Sequence, residues 1–338
     1  MKEPSVGIYI PAFNAENTIS RALLSILNLD YKNFNIYVIN DGSFDNTLEI
    51  INEINTKKKI TIFNNKENIG LAKVYDFIFK ISKEKYVSIY HSDDIYYPKI
   101  LKESVRYLEL NPNAAVVTTE TPDINILPNF FKHKKWDSNS YDFETIMNHL
   151  MMYFNFLLTP SACFRASIIK KNNIKFGREK IHYLLNEKDS CKDLIMFLEI
   201  LKISRIGIIP KKLMSWVQSE NQMSYQARKY NDGLPDFFRV IDYYLKENIN
   251  KYSFSKKSNK YYNFLKYKSY IVSAINHLKI KKYSYSLKMI HNAFRVVDLN
   301  YLFFSKDIYI KRKYLKWYIY SLFLILFIKI KLLNKKIC

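Results

Sequence analysis

Three short acidic sites hold the residues best able to do chemistry: Asn40-Asp41-Gly42-Ser43, Ser92-Asp93-Asp94 and the isolated Lys192-Asp193-Leu194. The first two each follow an apolar, strand-like run directly. Carboxylates at the carboxyl ends of parallel strands lie where open α/β sheets bind ligands, so one cleft can gather a nucleotide, a metal ion and a catalytic base. Taken singly, each site also has an ordinary explanation. An Asp-Gly-Ser turn after a strand commonly serves as a turn and helix cap, and an Asp at the start of a helical stripe commonly caps it.

The elements that must position these residues are legible in the periodicity. Val6 to Ile10 is a β-rich run, and Pro11, which cannot donate to a sheet ladder, marks its end. Ile19, Ala22, Leu23, Ile26 and Leu27 then fall on one helical face. Phe34 to Ile39 reads as a second strand, with Ser43 and Asp45 as cap-type residues before a helix over 47–54. The alternation continues through Ile60–Phe63, Leu71–Ile81, Tyr86–Tyr90, Pro98–Leu110 and Ala114–Thr118, which predicts a parallel sheet covered by helices.

Composition excludes several classes. A chain of 338 residues that is 48% hydrophobic can bury one large core or two smaller ones and is not disordered. Cys163, Cys191 and Cys338 form no spaced pair, so neither a zinc site nor a disulfide framework is indicated. Lys2-Glu3-Pro4 leads straight into a strand without a signal peptide, and the expectation is a cytoplasmic protein. Charge is uneven: residues 1–120 hold 14 Lys/Arg against 15 Asp/Glu, whereas residues 241–338 hold 21 against 4. The basic segment is either an ordinary solvated Lys-rich surface or a surface for an anionic partner, membrane lipid or nucleic acid.

Val6-Gly7-Ile8-Tyr9-Ile10-Pro11-Ala12-Phe13-Asn14, Ile39-Asn40-Asp41-Gly42-Ser43-Phe44-Asp45, Asn68-Ile69-Gly70 and His91-Ser92-Asp93-Asp94 resemble, in order and spacing, the pattern of glycosyltransferase family 2. The resemblance covers residues 4–220. Four ordered motifs on strand ends are far more specific than any one of them. It implies the GT-A fold, an α/β architecture with a Rossmann-like, mostly parallel sheet flanked by helices, and inverting transfer from a nucleotide sugar. It assigns Pro11, Phe13, Asn14, Asp41, Asn68, Gly70 and Asp93 to the nucleotide. Asp41 would accept the uracil NH, Phe13 would flank the base and Asp93 would contact ribose. Asp94 would bind Mn²⁺ or Mg²⁺ bridging the diphosphate, as suits hard oxygen ligands. Asn40 stands where the family often has a first Asp.

An acceptor hydroxyl needs a carboxylate to take its proton. Asp193 resembles the family's acid at a helix start, with Glu187 and Asp189 as alternatives in the same loop; the helix dipole is expected to keep the Asp193 pKa from rising. Gln218 stands where relatives often place a His, and His182 is a substitute candidate.

Beyond the motifs, a helical extension is expected, giving domains 1–235 and 236–338. Helical stripes between 258 and 298 suggest an antiparallel pair joined at Lys279–Ser284. Trp317 to Ile328 carries no charge between basic clusters and is too short to span a bilayer. Residues 314–333 are therefore either a membrane-surface helix on the inner face of the cell membrane or a core element. The expected partners are a UDP-sugar donor and a glycan or lipid-linked glycan acceptor, with an anionic membrane surface as a further candidate and nucleic acid disfavoured. The competing classes are a sugar-nucleotide nucleotidyltransferase, which usually carries a Gly-rich basic first loop absent here, and a non-enzymatic nucleic-acid or membrane binder.

Overall fold

The computed structural model describes residues 2–55, 60–120, 136–137, 139–153, 155–157, 159–175, 191–217, 234–248, 250–297 and 308–337. Two units result: residues 1–146, 155–183 and 191–219 form the first, and residues 147–154, 184–190 and 220–338 the second.

The first unit is built on a twisted sheet. Its opening strands are β1 (Val6–Ala12), β2 (Phe34–Asn40), β3 (Ile60–Asn64) and β4 (Tyr86–Ile89). The helices between them are α1 (Ile19–Leu27), α2 (Thr47–Asn55) and α3 (Leu71–Ile81). A two-residue β5 (Ile95–Tyr96) and α4 (Ile100–Leu110) lead to β6 (Ala114–Thr119). Next come β7 (Ser140–Tyr141), α5 (Phe143–Tyr153), β8 (Cys163–Arg165), α6 (Ala166–Lys171), α7 (Lys192–Leu201), β9 (Arg205–Ile209) and β10 (Met214–Ser215). The sheet order is β3-β2-β1-β4-β8-β6-β9-β7, with β10 pairing β5 separately. β1, β2, β3 and β4 pair in parallel, as do β6 and β9, while β8 and β7 run antiparallel to their neighbours. The mostly parallel sheet is borne out; the antiparallel β8 was not legible because three residues leave no periodicity to read.

Pro11 does not end its strand. β1 continues to Ala12, and Pro11 stands opposite Ile39 of β2. The Tyr9 carbonyl faces the β4 side, accepting from Tyr90 N at 2.9 Å. Pro11 therefore turns its missing N–H to that same side, beyond the last β1–β4 pair at Tyr9 and Ile89. The apolar runs that predicted the strands are buried because α1 and α4 cover one face, packing Ile19, Leu23, Ile26, Leu101, Val105 and Leu108 onto it.

The second unit is helical: α8 (Asp236–Asn248), α9 (Lys256–Lys279), α10 (Tyr283–Val296) and α11 (Ile308–Ile337). Ser255 caps α9, its hydroxyl oxygen accepting from Ser258 N at 3.0 Å. α9 and α10 are antiparallel, since His277 stacks on Tyr285, Ser286 Oγ donates to the Ala274 carbonyl and Tyr267 meets Phe294. Phe264, Tyr267, Ile271, Ile290 and Ala293 form their shared core, which Tyr314 and Ile328 of α11 complete.

Candidate functional site

The carboxyl ends of β1, β2 and β4 converge where β1 lies between strands reached in opposite directions, the position at which open α/β sheets bind ligands. The loop after β1 is zipped to the turn after β2. Asn14 N donates to Ser43 Oγ at 3.0 Å, Ala15 N to Thr47 Oγ1 at 2.7 Å and Glu16 N to Asp45 Oδ2 at 3.1 Å. Asp45, just before α2, accepts from Thr47 N at 3.0 Å. Ser43, expected as a cap, instead bridges loops by accepting from Asn14 N, and it donates within its own turn to Asn40 Oδ1 at 2.5 Å. Gly42 sits at φ 71°, and a Cβ there would come within 2.5 Å of the Glu67 backbone, so this turn requires glycine.

Asp41 organises the third loop. Its Oδ1 accepts from Asn65 Nδ2 at 2.8 Å and Ile69 N at 3.0 Å, and its Oδ2 from Gly70 N at 3.0 Å. This near-fully buried carboxylate thus fixes the Asn65–Gly70 turn, a role the sequence did not disclose, and its oxygens retain lone-pair capacity for a ligand. Asp41→Ala is expected to lower stability by about 1 to 3 kcal/mol, because three partly buried N–H groups lose their acceptor, and to weaken UDP binding as well. Urea unfolding and calorimetric titration read the two effects separately. Asn40, also buried, donates to Asn64 Oδ1 at 2.8 Å, so Asn40→Ala is expected to cost stability while sparing more of the UDP affinity.

Phe13 is 44% exposed and Phe44 85% exposed, their rings edge to face at 6.0 Å. Asn14, with φ 48°, accepts from Phe44 N at 3.1 Å and holds the pair in place. Pro11 is buried in β1 and Asn68 is exposed, while Gly70 at φ 87° opens α3 with free space where a Cβ would stand. Phe44 was read only as part of a motif; an exposed aromatic in a turn offers no periodic signal.

After β4 the chain delivers His91, Asp93 and Asp94, whose ligand atoms all lie within 4.8 Å of one another. Asp94 is completely buried. Its Oδ1 accepts from Val217 N at 3.2 Å, and its Oδ2 has no hydrogen-bond partner among the described residues. Burial, and then the Asp93 charge, push its pKa up to about 8. An orphaned buried carboxylate oxygen beside a second carboxylate and an imidazole is a donor set that fits a divalent cation. Burial holds the His91 imidazole below its usual pKa, favouring the neutral, metal-competent form. Its Nε2 lies 2.8 Å from the Tyr75 hydroxyl.

Asp193 occupies the first turn of α7. Its Oδ1 accepts from Leu194 N at 2.8 Å and its Oδ2 from Thr159 Oγ1 at 3.3 Å. The expectation that the helix dipole keeps its pKa down is corrected here. Burial outweighs the dipole and these bonds, raising the pKa to about 6. Burial, and then the charges of Asp193, Asp93 and Asp94, hold the Tyr75 hydroxyl well above the usual tyrosine pKa. Tyr75 and Thr159 were not foreseen, because Tyr75 reads simply as an apolar position of α3. His182, Glu187, Asp189 and Gln218 lie outside the described residues.

Residues 7–172 match the family model for glycosyl transferase family 2. An uncharacterised glycosyltransferase of Haemophilus influenzae is 26% identical over 227 residues, 65% of this chain and 68% of its own length. The chondroitin synthase of Pasteurella multocida is 30% identical over 154 residues, 44% of this chain, and that match spans 16% of the synthase. S. aureus TarS 1–349 in complex with UDP-GlcNAc shares the fold with a TM-score of 0.58 at 16% identity, over 87% of this chain and 82% of that one. The mannosyltransferase PcManGT from Pyrobaculum calidifontis, in complex with GDP-Man and Mn²⁺, gives 0.52 at 14% identity over 96% and 86%. With its ordered motifs seated at the strand ends of a GT-A sheet, residues 7–172 of the chain form a glycosyltransferase family 2 domain.

Proposed function

We propose that the chain is a metal-dependent inverting transferase that moves a sugar from a UDP-sugar to a hydroxyl of a growing surface glycan. The observation that carries this reading is the His91, Asp93 and Asp94 cluster after β4, whose ligand atoms lie within 4.8 Å of one another and include a buried Asp94 oxygen with no hydrogen-bond partner among the described residues; the Asp193 carboxylate at the start of α7 is the candidate base. A base and an anion-stabilising centre are the two things a single displacement from a diphosphate needs. Asp193 takes the proton of the acceptor hydroxyl as that oxygen forms its bond to the anomeric carbon. The bond to the diphosphate breaks on the opposite side, and its electron pair leaves with the nucleoside diphosphate. Phe13 and Phe44 offer apolar faces to the base, Asp41 an acceptor for a ring NH, and Asp93 a partner for ribose. Asp94 would hold a divalent cation, with Asp93 and His91 in reach, and such a cation would supply positive charge to the departing diphosphate.

Support for a uridine nucleotide comes from TarS, which was solved with UDP-GlcNAc and with UDP, and support for a glycan product from the chondroitin and hyaluronan synthases among the relatives. Because PcManGT was solved with GDP-Man, the nucleotide needs a direct test. The test is a donor panel of UDP-, GDP- and dTDP-sugars assayed for nucleotide release with Mn²⁺ or Mg²⁺. Release from UDP-sugars at least about ten-fold above the other nucleotides is expected: a purine misplaces its ring NH relative to Asp41, and thymidine, which keeps that NH, lacks the ribose 2′-hydroxyl offered to Asp93, each loss being one charged hydrogen bond. Equal release from GDP-sugars overturns the uridine assignment.

A further inference from the structure

α11 is apolar on two faces, and only one of them is covered by the described residues. Tyr314, Ser321 and Ile328 are fully buried, and the Tyr267 hydroxyl lies 2.9 Å from Ser321 Oγ and donates to the Trp317 carbonyl at 3.2 Å. The opposite face presents Leu315, Ile319, Leu322, Phe323, Leu326 and Ile330 to solvent, with Phe323 67% and Leu326 58% exposed. At 3.6 residues per turn these six fall in one stripe about 100° wide, so they form a continuous surface. Such a patch on a soluble face marks an interaction site.

The charge pattern selects the occupant. Residues 308–337 contain eight Lys or Arg and no acidic residue. Helical spacing puts Lys311 and Lys329 along one flank of the stripe and Lys331 beyond its other edge, where Lys331 Nζ lies 5.6 Å from the Phe327 ring centroid. Two copies meeting through this face would bring rows of like charge together. An anionic bilayer instead accepts the apolar stripe below its headgroups and neutralises the lysines, whose stems reach outward along apolar surface. No helix among the described residues is long and apolar enough to cross a membrane, which leaves a helix lying in the surface plane.

We infer that α11 docks on an anionic membrane surface through the Leu315–Ile330 stripe while its other face stays packed on α9 and α10. This deepens the transferase reading, on which it rests for its consequence, by bringing the enzyme to acceptors carried on lipid. The helix is thus a core element and a membrane element at once, each on its own face.

The full chain is mixed with vesicles of phosphatidylglycerol and phosphatidylethanolamine, or of phosphatidylcholine alone, and sedimented. Binding to the anionic vesicles only is expected, weakening about five-fold for each lysine replaced in Lys316→Gln and Lys329→Gln. The double variant Phe323→Gln, Leu326→Gln should bind at least about ten-fold less, since two exposed apolar side chains no longer insert. Hydrogen exchange of the unaltered protein decides the matter even where a variant fails to fold: amides within 315–330 should slow with anionic vesicles. Absence of sedimentation at low salt, equal binding to phosphatidylcholine, unchanged exchange, or a dimer that the double variant dissociates overturns the inference. Nucleotide release without vesicles is read in parallel, so failed docking with intact release rejects the membrane surface alone, and the reverse rejects the transferase reading alone.

Discussion

Asp193→Asn is expected to lower sugar transfer by about 10² to 10⁴ while leaving UDP and metal affinity unchanged, the range a positioned base supplies. The substitution preserves shape, and Thr159 Oγ1 and Leu194 N keep polar partners at the sites they now occupy. Protonation gives a second signature. Because burial raises the Asp193 pKa to about 6, the carboxylate is the active form above that value. In the unaltered protein kcat/KM should rise about ten-fold per pH unit below 6 and level off above it; the variant should lose that limb. Stability runs the other way. A folded pKa above the unfolded one means the native state binds more protons, so its contribution is present at acid pH and lost as pH rises through about 6. Asp193→Asn should therefore unfold at higher temperature than the parent at pH 8, with the difference vanishing near pH 3. Wild-type transfer rates in this variant would move the base to Glu187 or Asp189.

The sequence disclosed the frame of this site better than its wiring. Apolar runs located β1 to β4 and a 3.6-residue periodicity located α1 to α4, because those elements bury one face or both against a single core. Motif order then put Asp41 and the Asp93–Asp94 pair at strand ends. What escaped was contact between residues distant in the chain. The Asp41 carboxylate is engaged by Asn65, Ile69 and Gly70, and nothing in a one-dimensional pattern says that a strand-end acid clamps a loop nearly thirty residues on. Likewise Tyr75 joins His91 through a bond between a helix and a strand end, while its own spacing says only that it is buried. Pro11 misled for a local reason, since the rule that proline ends a strand applies only where the ladder needs its N–H. The Asp193 pKa misled because a helix dipole acts over a single turn, whereas desolvation acts on the whole carboxylate.

Asp94→Asn should remove the metal dependence of donor binding without unfolding the site. The amide retains an oxygen for Val217 N, so the loop contact at 3.2 Å survives while the charge goes. In the parent protein Asp94 Oδ2 is buried without a partner among the described residues, and the pKa of about 8 expresses the cost of ionising it with no cation present. A divalent ion repays that cost, and the protein then binds the diphosphate more tightly. Calorimetric titration with UDP, in Mn²⁺ and in EDTA, is expected to differ by about 10-fold or more for the parent, a gap of at least about 1.4 kcal/mol. The gap should close for Asp94→Asn, to which EDTA makes no difference. The neutral side chain should also relieve the burial penalty, so thermal unfolding in EDTA at pH 9 should occur at or above the parent temperature. Asp93→Asn is the paired measurement. Its carboxylate is partly exposed and belongs to the same cluster, so metal-stimulated binding that survives Asp94→Asn and fails in Asp93→Asn would transfer the cation to Asp93 and leave Asp94 as the anchor for Val217.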